Sequence, residues 1–140
     1  MAHESFKVEV LTPEGQVFSD EVEMVSTRTS VGSIGILAHH QPLLGMLDPT
    51  ELRLYRSEND VVSFAQGEGY VQVSKDGVLL LVEEAHEASK IDTGEQQEKL
   101  KRAEQELGGC EEGTEAFRKA ARDKRRAETF LRIAGGGTDH

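Results

Sequence analysis

Val61-Val-Ser-Phe-Ala-Gln-Gly-Glu-Gly-Tyr70-Val-Gln-Val-Ser-Lys-Asp-Gly-Val-Leu-Leu-Leu-Val82 reads as three extended segments separated by two turns. Val61 to Gln66 carries the β-branched and aromatic residues that suit a pleated surface. Gly67-Glu-Gly69 ends it. Tyr70 to Ser74 alternates apolar and polar with period two, the pattern of a half-buried strand. Asp76-Gly77 predicts a tight hairpin with positive φ at both residues of a type I′ turn. Val78 to Val82 is an unbroken apolar run, expected to be a strand buried on both faces.

The same grammar extends upstream. Phe6-Lys-Val-Glu-Val-Leu alternates, Pro13-Glu-Gly15 is a turn, and Val17-Phe18 begin a second extended piece. Val22 to Thr29 is β-rich, with Val22, Met24 and Ser26 expected on one face. Glu51 to Arg56 alternates with Leu52 and Leu54 inward, and Ser57-Glu-Asn-Asp turns the chain. Short strands at such spacing indicate an all-β sandwich or barrel. This body is expected to end near Glu87, with Ala85 to Ala88 readable as a first turn of helix.

Val31 to Leu47 breaks the pattern. Gly32, Gly35, Gly45 and Pro42 give it the backbone of a loop. Yet eight of the fourteen residues from Ile34 to Leu47 are apolar. Either the segment folds back into its own domain or another protein covers it.

Beyond Glu87 the composition turns helical. Asp92 or Thr93 can cap a helix over about 93–107, with a thin stripe of Leu100, Ala103 and Leu107. Gly108 to Gly113 breaks it. Thr114 caps a second helix to about 134, carrying Ala116, Phe117, Ala120, Ala121, Ala127, Phe130 and Leu131, and Gly135-Gly-Gly stops it with a frayed tail. A six-residue loop makes the two an antiparallel hairpin. Such thin stripes cannot form an independent domain, so the hairpin must dock on the β body or on a partner. Dependence on docking is what a movable element has.

Net charge is −10 and unevenly spread: residues 1–92 hold 6 Lys/Arg against 16 Asp/Glu, and residues 115–134 hold 7 against 3. The acidic body argues against nucleic acid as a partner. The basic second helix lies on the body or reaches an acidic surface elsewhere. The single Cys110 excludes an internal disulfide. No run approaches the ~20 apolar residues of a membrane span, and the first residues lack the basic and apolar regions of a signal peptide.

Four motifs are recognisable in order. Gly35-Ile-Leu-Ala-His-His-Gln-Pro-Leu-Leu44 resembles the Gly-Ile-x-Pro-Gly-His-x-Pro-Leu-Leu signature of the epsilon subunit of the F-type rotary ATP synthase, with Ala38 and His39 in place of Pro and Gly. Glu68-Gly69-Tyr70 resembles that family's Gly-Gly-Phe. Leu81-Val-Glu-Glu-Ala85 resembles a strand ending in Ala-Glu-x-Ala, with Glu83 matching. Ile91-Asp92 resembles the start of Ile/Leu-Asp-x-x-Arg-Ala.

The resemblance implies an α+β protein. An N-terminal antiparallel β-sandwich of about ten strands spans 1–88, and a C-terminal antiparallel two-helix hairpin spans 89–140. It implies a non-catalytic central-stalk subunit of the proton-translocating ATP synthase, peripheral to the cytoplasmic face of a bacterial plasma membrane. The sandwich would bind the gamma subunit and the c-subunit rotor ring. The hairpin, when extended, would meet acidic loops of the catalytic alpha and beta subunits and brake hydrolysis. Leu43, Leu44 and Leu47 would anchor inward. Ile34, Gly35, Ile36, Leu37, His39, His40 and Pro42 would face partners, as would Arg118, Lys119, Arg122, Arg125 and Arg126.

Some family members bind ATP on the hairpin. The corresponding candidates here are Glu83, Ile91, Asp92, Arg122 and Arg126. Glu95 and Gln96 replace the motif's Arg-Ala, which puts a carboxylate where a triphosphate needs a bidentate donor. ATP binding is therefore expected to be weak or absent, and no cofactor is expected. Glu83 is expected to hydrogen-bond the hairpin.

Competing readings stand beside this one. His39-His40 point to opposite faces if extended and so make a poor chelating pair. Glu83, Glu84, Glu87 and His86 lack an accompanying nucleophile and read as a solvated strand end rather than an acid–base site. A free-standing adapter whose hairpin grips a client, and a small hydrolase using His40, remain the alternatives to a stalk subunit.

Overall fold

The structure is a computed structural model that describes residues 3–136. The expected frayed tail past Gly136 therefore lies outside the described residues, as do the first two residues. Ten strands come first: β1 (Phe6–Thr12), β2 (Gly15–Val22), β3 (Met24–Thr29), β4 (Gly32–Ile36), β5 (Leu43–Leu47), β6 (Thr50–Ser57), β7 (Asp60–Gln66), β8 (Gly69–Ser74), β9 (Gly77–Val82) and β10 (Ala85–Glu87). A 3-10 turn at Ala88–Lys90 leads into α1 (Thr93–Gly108) and α2 (Glu115–Ala134).

The strands pair in the order β10-β7-β6-β3-β5-β8-β9-β1-β2, with β4 added beside β3. The sheet folds over so that one face of nearly every strand meets a single core. Val8, Val10, Phe18, Val22, Val25, Ile36, Leu47, Leu52, Leu54, Phe64, Val71, Leu80 and Val82 are among its buried residues. Phe18 on β2 and Phe64 on β7, far apart in strand order, meet edge to face at 6.2 Å. A polar bracket lies within: Thr27 Oγ1 donates to Gln66 Oε1 at 2.6 Å, and Gln66 Nε2 donates to the Asp48 carbonyl at 2.9 Å.

Several expectations are corrected. Not every pair is antiparallel, because β1 and β9 run parallel. The Val22 to Thr29 stretch is two strands, and on β3 the inward residues are Val25, Thr27 and Thr29 rather than Met24 and Ser26. The chain turns after Val22, which shifts the inward phase by one residue. Val78 to Val82 is not buried on both faces, since Leu81 is exposed. Ala85 to Glu87 is a strand on the edge of β7, not helix. The β8–β9 turn is Lys75-Asp76, and among the described residues His39 alone has positive φ without being glycine. Gly77 sits at φ 131, and a Cβ there would collide with the Lys7 carbonyl of neighbouring β1.

Val31 to Leu47 resolves into a hairpin arm, a loop and a strand. β4 lies against β3, β5 lies against β8, and residues 37–42 are the loop between them. It folds back in part: Ile36 and Leu47 are core, and Ile34 and Leu43 pack against it.

The hairpin is capped as its sequence asks. Asp92 Oδ1 accepts from Glu95 N at 3.1 Å, and Thr114 Oγ1 accepts from Phe117 N at 3.2 Å. Ala103 on α1 and Ala120 and Ala127 on α2 are buried where the helices approach. Ala116 is exposed. The hairpin docks through α2 over β6 and β7. Its apolar seat is small: Ala65, Phe130 and Ile133, with Ala88 and Ile91 beside them.

Candidate functional site

Two surfaces stand out. The first is an apolar stripe on the outer face of the sheet. Met46 on β5 lies opposite Tyr70 on β8, and Tyr70 lies opposite Leu81 on β9. Leu44 occupies the same face two residues before Met46, as strand period dictates. Leu44 is 74% exposed, Met46 59%, Tyr70 51% and Leu81 45%. Four large apolar side chains in adjacent rows form a patch that water solvates poorly, and Met46 and Tyr70 also line the edge of the groove beneath the hairpin. Leu44 was expected to anchor inward; it points outward because Leu43 and Leu47 take the inward phase of β5.

The second surface is a groove of about 780 Å³ between hairpin and β body, lined by Glu68, Gln96, Lys99, Arg122, Arg126 and others. Here Glu84 Oε2 accepts from Lys99 Nζ at 3.0 Å, from Gln96 Nε2 at 3.3 Å and from His86 Nε2 at 2.6 Å. Burial pushes the Glu84 carboxyl upward, but these hydrogen bonds and the Lys99 charge outweigh it and hold the carboxyl below its usual value. Burial likewise opposes charge on Arg126, and Glu68, Glu84 and Asp123 more than offset it. Lys99 is raised in the same manner, against burial, by Glu84 and Glu95. His86 also stands edge to face with Phe130 at 5.8 Å, which joins the polar cluster to the apolar seat.

Each sequence candidate now has a place. Of the nucleotide candidates, Glu83, Arg122 and Arg126 line the groove, whereas Ile91 packs into the apolar seat and Asp92 caps α1. Glu83 is exposed, and the hairpin contact expected of it belongs to its neighbour Glu84. Glu84 is accordingly no solvated strand end. Ile36 is fully buried and unavailable to a partner in this fold. Ile34 is half-buried, and Gly35, Leu37, His39 and Pro42 are exposed. His39 adopts φ 64, the left-handed region that glycine favours, which accounts for the motif's Gly at this place. Its Nε2 hydrogen-bonds Glu4. His40 Nδ1 donates to the Gln41 carbonyl at 2.8 Å. Arg118 pairs with Glu115 and Lys119 with Asp123, both along α2. Arg125 reaches Asp48 of the body at 2.8 Å.

Sequence reasoning missed Glu68, Gln96 and the outward stripe. Period two inside Leu79-Leu-Leu81 would have exposed Leu81. The substitutions within the motifs were the signal for the other two. Among the described residues, no group of three His, Cys, Asp or Glu is placed to hold a metal. No helix there is long and apolar enough to cross a membrane.

Residues 5–88 match the family model described as the beta-sandwich domain of the ATP synthase delta/epsilon chain. The chain is 38% identical over 131 residues to the ATP synthase epsilon chain of Persephonella marina, covering 93% of this chain and 96% of that one. It is similar to a chain in the Euglena gracilis mitochondrial ATP synthase structure with OSCP, F1 and c-ring, at TM-score 0.69 and 19% identity over 97% of this chain and 84% of that chain. A chain in the Tetrahymena thermophila mitochondrial central stalk and c-ring structure matches at TM-score 0.58 and 17% identity, over 97% and 98%.

Proposed function

This chain belongs to the ATP synthase epsilon-chain family, and from that premise we propose a division of labour between its two parts. It is a non-catalytic subunit. The β body joins the central stalk by its outward stripe, with Leu44, Met46, Tyr70 and Leu81 docking on the gamma subunit. The loop 37–42, with Leu37, His39, His40 and Pro42, faces the c-subunit rotor ring. The hairpin regulates: when released, Arg118, Lys119, Arg122, Arg125 and Arg126 meet acidic loops of the alpha and beta subunits and slow ATP hydrolysis. The assembly holds the subunit at the cytoplasmic face of a bacterial plasma membrane.

The observation that carries this reading is the stripe, an apolar outer face on paired strands, in a chain whose relatives match it over nearly its whole length. A contact that transmits torque must not slip, and side chains fixed on paired strands satisfy that better than a loop does. Copurification with gamma tests it. Wild type is retained by gamma, and Met46→Asp combined with Leu44→Asp abolishes retention while the β-sheet circular dichroism persists. Retention of that double variant would sink the assignment of the stripe.

ATP does not act as a ligand of the groove in this reading. Glu95 pairs with Lys99 instead of a phosphate. Calorimetry is expected to find no binding below millimolar ATP.

A further inference from the structure

The chain departs from the motifs it resembles at Glu68 and at Glu95-Gln96. The fold brings these two places to one point. Arg126 of α2 enters a socket there. Its Nη1 donates to Glu68 Oε1 at 2.9 Å, its Nη2 donates to Asp123 Oδ1 at 2.8 Å, and its Nε faces Glu84 Oε1 at 3.5 Å. The floor of the socket is Gly67, which is buried and donates its N–H to the Glu84 carbonyl at 2.8 Å. A Cβ at Gly67 would lie 3.0 Å from Arg126 Cδ and 3.3 Å from that carbonyl. The body is therefore shaped to admit this side chain.

Glu84 divides its two oxygens between the helices. Oε1 faces Arg126 of α2, and Oε2 accepts from Gln96 and Lys99 of α1. One carboxylate on the body thus ties down both arms of the hairpin. Glu68 adds a second carboxylate from the body beside Arg126, and Gln96 is buried with its amide donating to Glu84. Charges so largely withdrawn from water are costly to leave unpaired, so losing either partner destabilises the docked state.

We propose that Arg126, Glu68 and Glu84 form an electrostatic latch that holds the hairpin on the β body without any nucleotide. The ion cluster takes the place of a bound phosphate as the counter-charge for Arg126. Salt weakens such a latch only in part, because its ions are partly buried, and ATP does not close it further. The latch rests on this geometry and not on the stalk assignment, so its test uses the isolated full chain.

Hydrogen exchange read by mass spectrometry distinguishes the outcomes. Amides from Ala120 to Ile133 report docking, and amides from Val71 to Leu80 report the body. Glu68→Gly, which restores the residue of the motif, and Arg126→Met should each speed exchange in α2 about tenfold and leave the strands unchanged. Raising sodium chloride to about 1 M should speed α2 modestly in wild type, by less than either substitution does, and still less in either variant. Unchanged α2 exchange in Glu68→Gly would overturn the latch. So would a strong slowing of α2 exchange by millimolar ATP with magnesium.

Discussion

The β body and the hairpin differ in what holds them. The body closes over one continuous core drawn from nine of its strands, with residues such as Val8, Leu52, Leu54, Val71 and Leu80 fully buried. The hairpin seat is Ala65, Phe130 and Ile133 with a few edges, and α1 itself buries just Gln96 and Ala103. Hydrophobic stabilisation scales with apolar area removed from water. The body therefore has a folding free energy of its own, and the hairpin borrows from the body through a small apolar seam and an ion cluster. Charge follows the same division, an acidic body and a basic α2. Cations that a partner could read are spent in the docked state on Asp48, Glu68 and Glu84.

That contrast can be broken at its strong end first. Leu80→Ala should cost about 2–5 kcal/mol and unfold both regions together, because the hairpin has no other seat. Denaturant unfolding followed by tyrosine fluorescence reports it, since Tyr55 and Tyr70 both lie in strands of the body. Phe130→Ala deletes a comparable volume in the seam. Its cost of about 3–5 kcal/mol should fall on docking alone. Helix ellipticity should melt at lower denaturant while the tyrosine transition moves little.

A smaller effect comes from acid. The Glu84 carboxyl is held below its ordinary 4.5 in the docked state. It therefore contributes stability that is present above that value and lost as pH falls through the docked-state pKa. His86, Lys99, Gln96 and Arg126 face it. Helix protection in α2 should fall below pH 4.5 ahead of the strands, and Glu84→Gln should remove that lead. The smallest effect on folding belongs to the stripe. Met46→Ser should shift stability within about 0.5 kcal/mol, yet weaken retention by gamma.

Much of this contrast was legible in the sequence, for physical reasons that differ by region. Leu52, Leu54 and the turns at Ser57 to Asp60 and Gly67 to Gly69 were readable because period-two strands with one wet face write their orientation into the sequence. Asp92 and Thr114 were readable as caps because an unpaired helix N-terminus demands such side chains. Phase on β3 was not, because the turn after Val22 resets the alternation without any glycine or proline to mark it. Val78 to Val82 misled because an outward row of apolar residues looks from sequence like a second buried face. Glu84 could not be told from Glu83 without the pairing of β10 with β7, which fixes the direction each carboxylate takes. The socket of Arg126 joins residues 58 positions apart, and no local pattern encodes that distance.

Cutting the chain after Ile91 tests the division of labour most directly. Copurification with gamma and ATP hydrolysis by the assembled complex are both measured, for full-length and truncated chains. The account predicts that the truncated body folds, joins gamma as the full chain does, and gives a complex whose hydrolysis rate is equal or higher. A truncated chain that stays folded by tyrosine fluorescence but no longer joins gamma would contradict it.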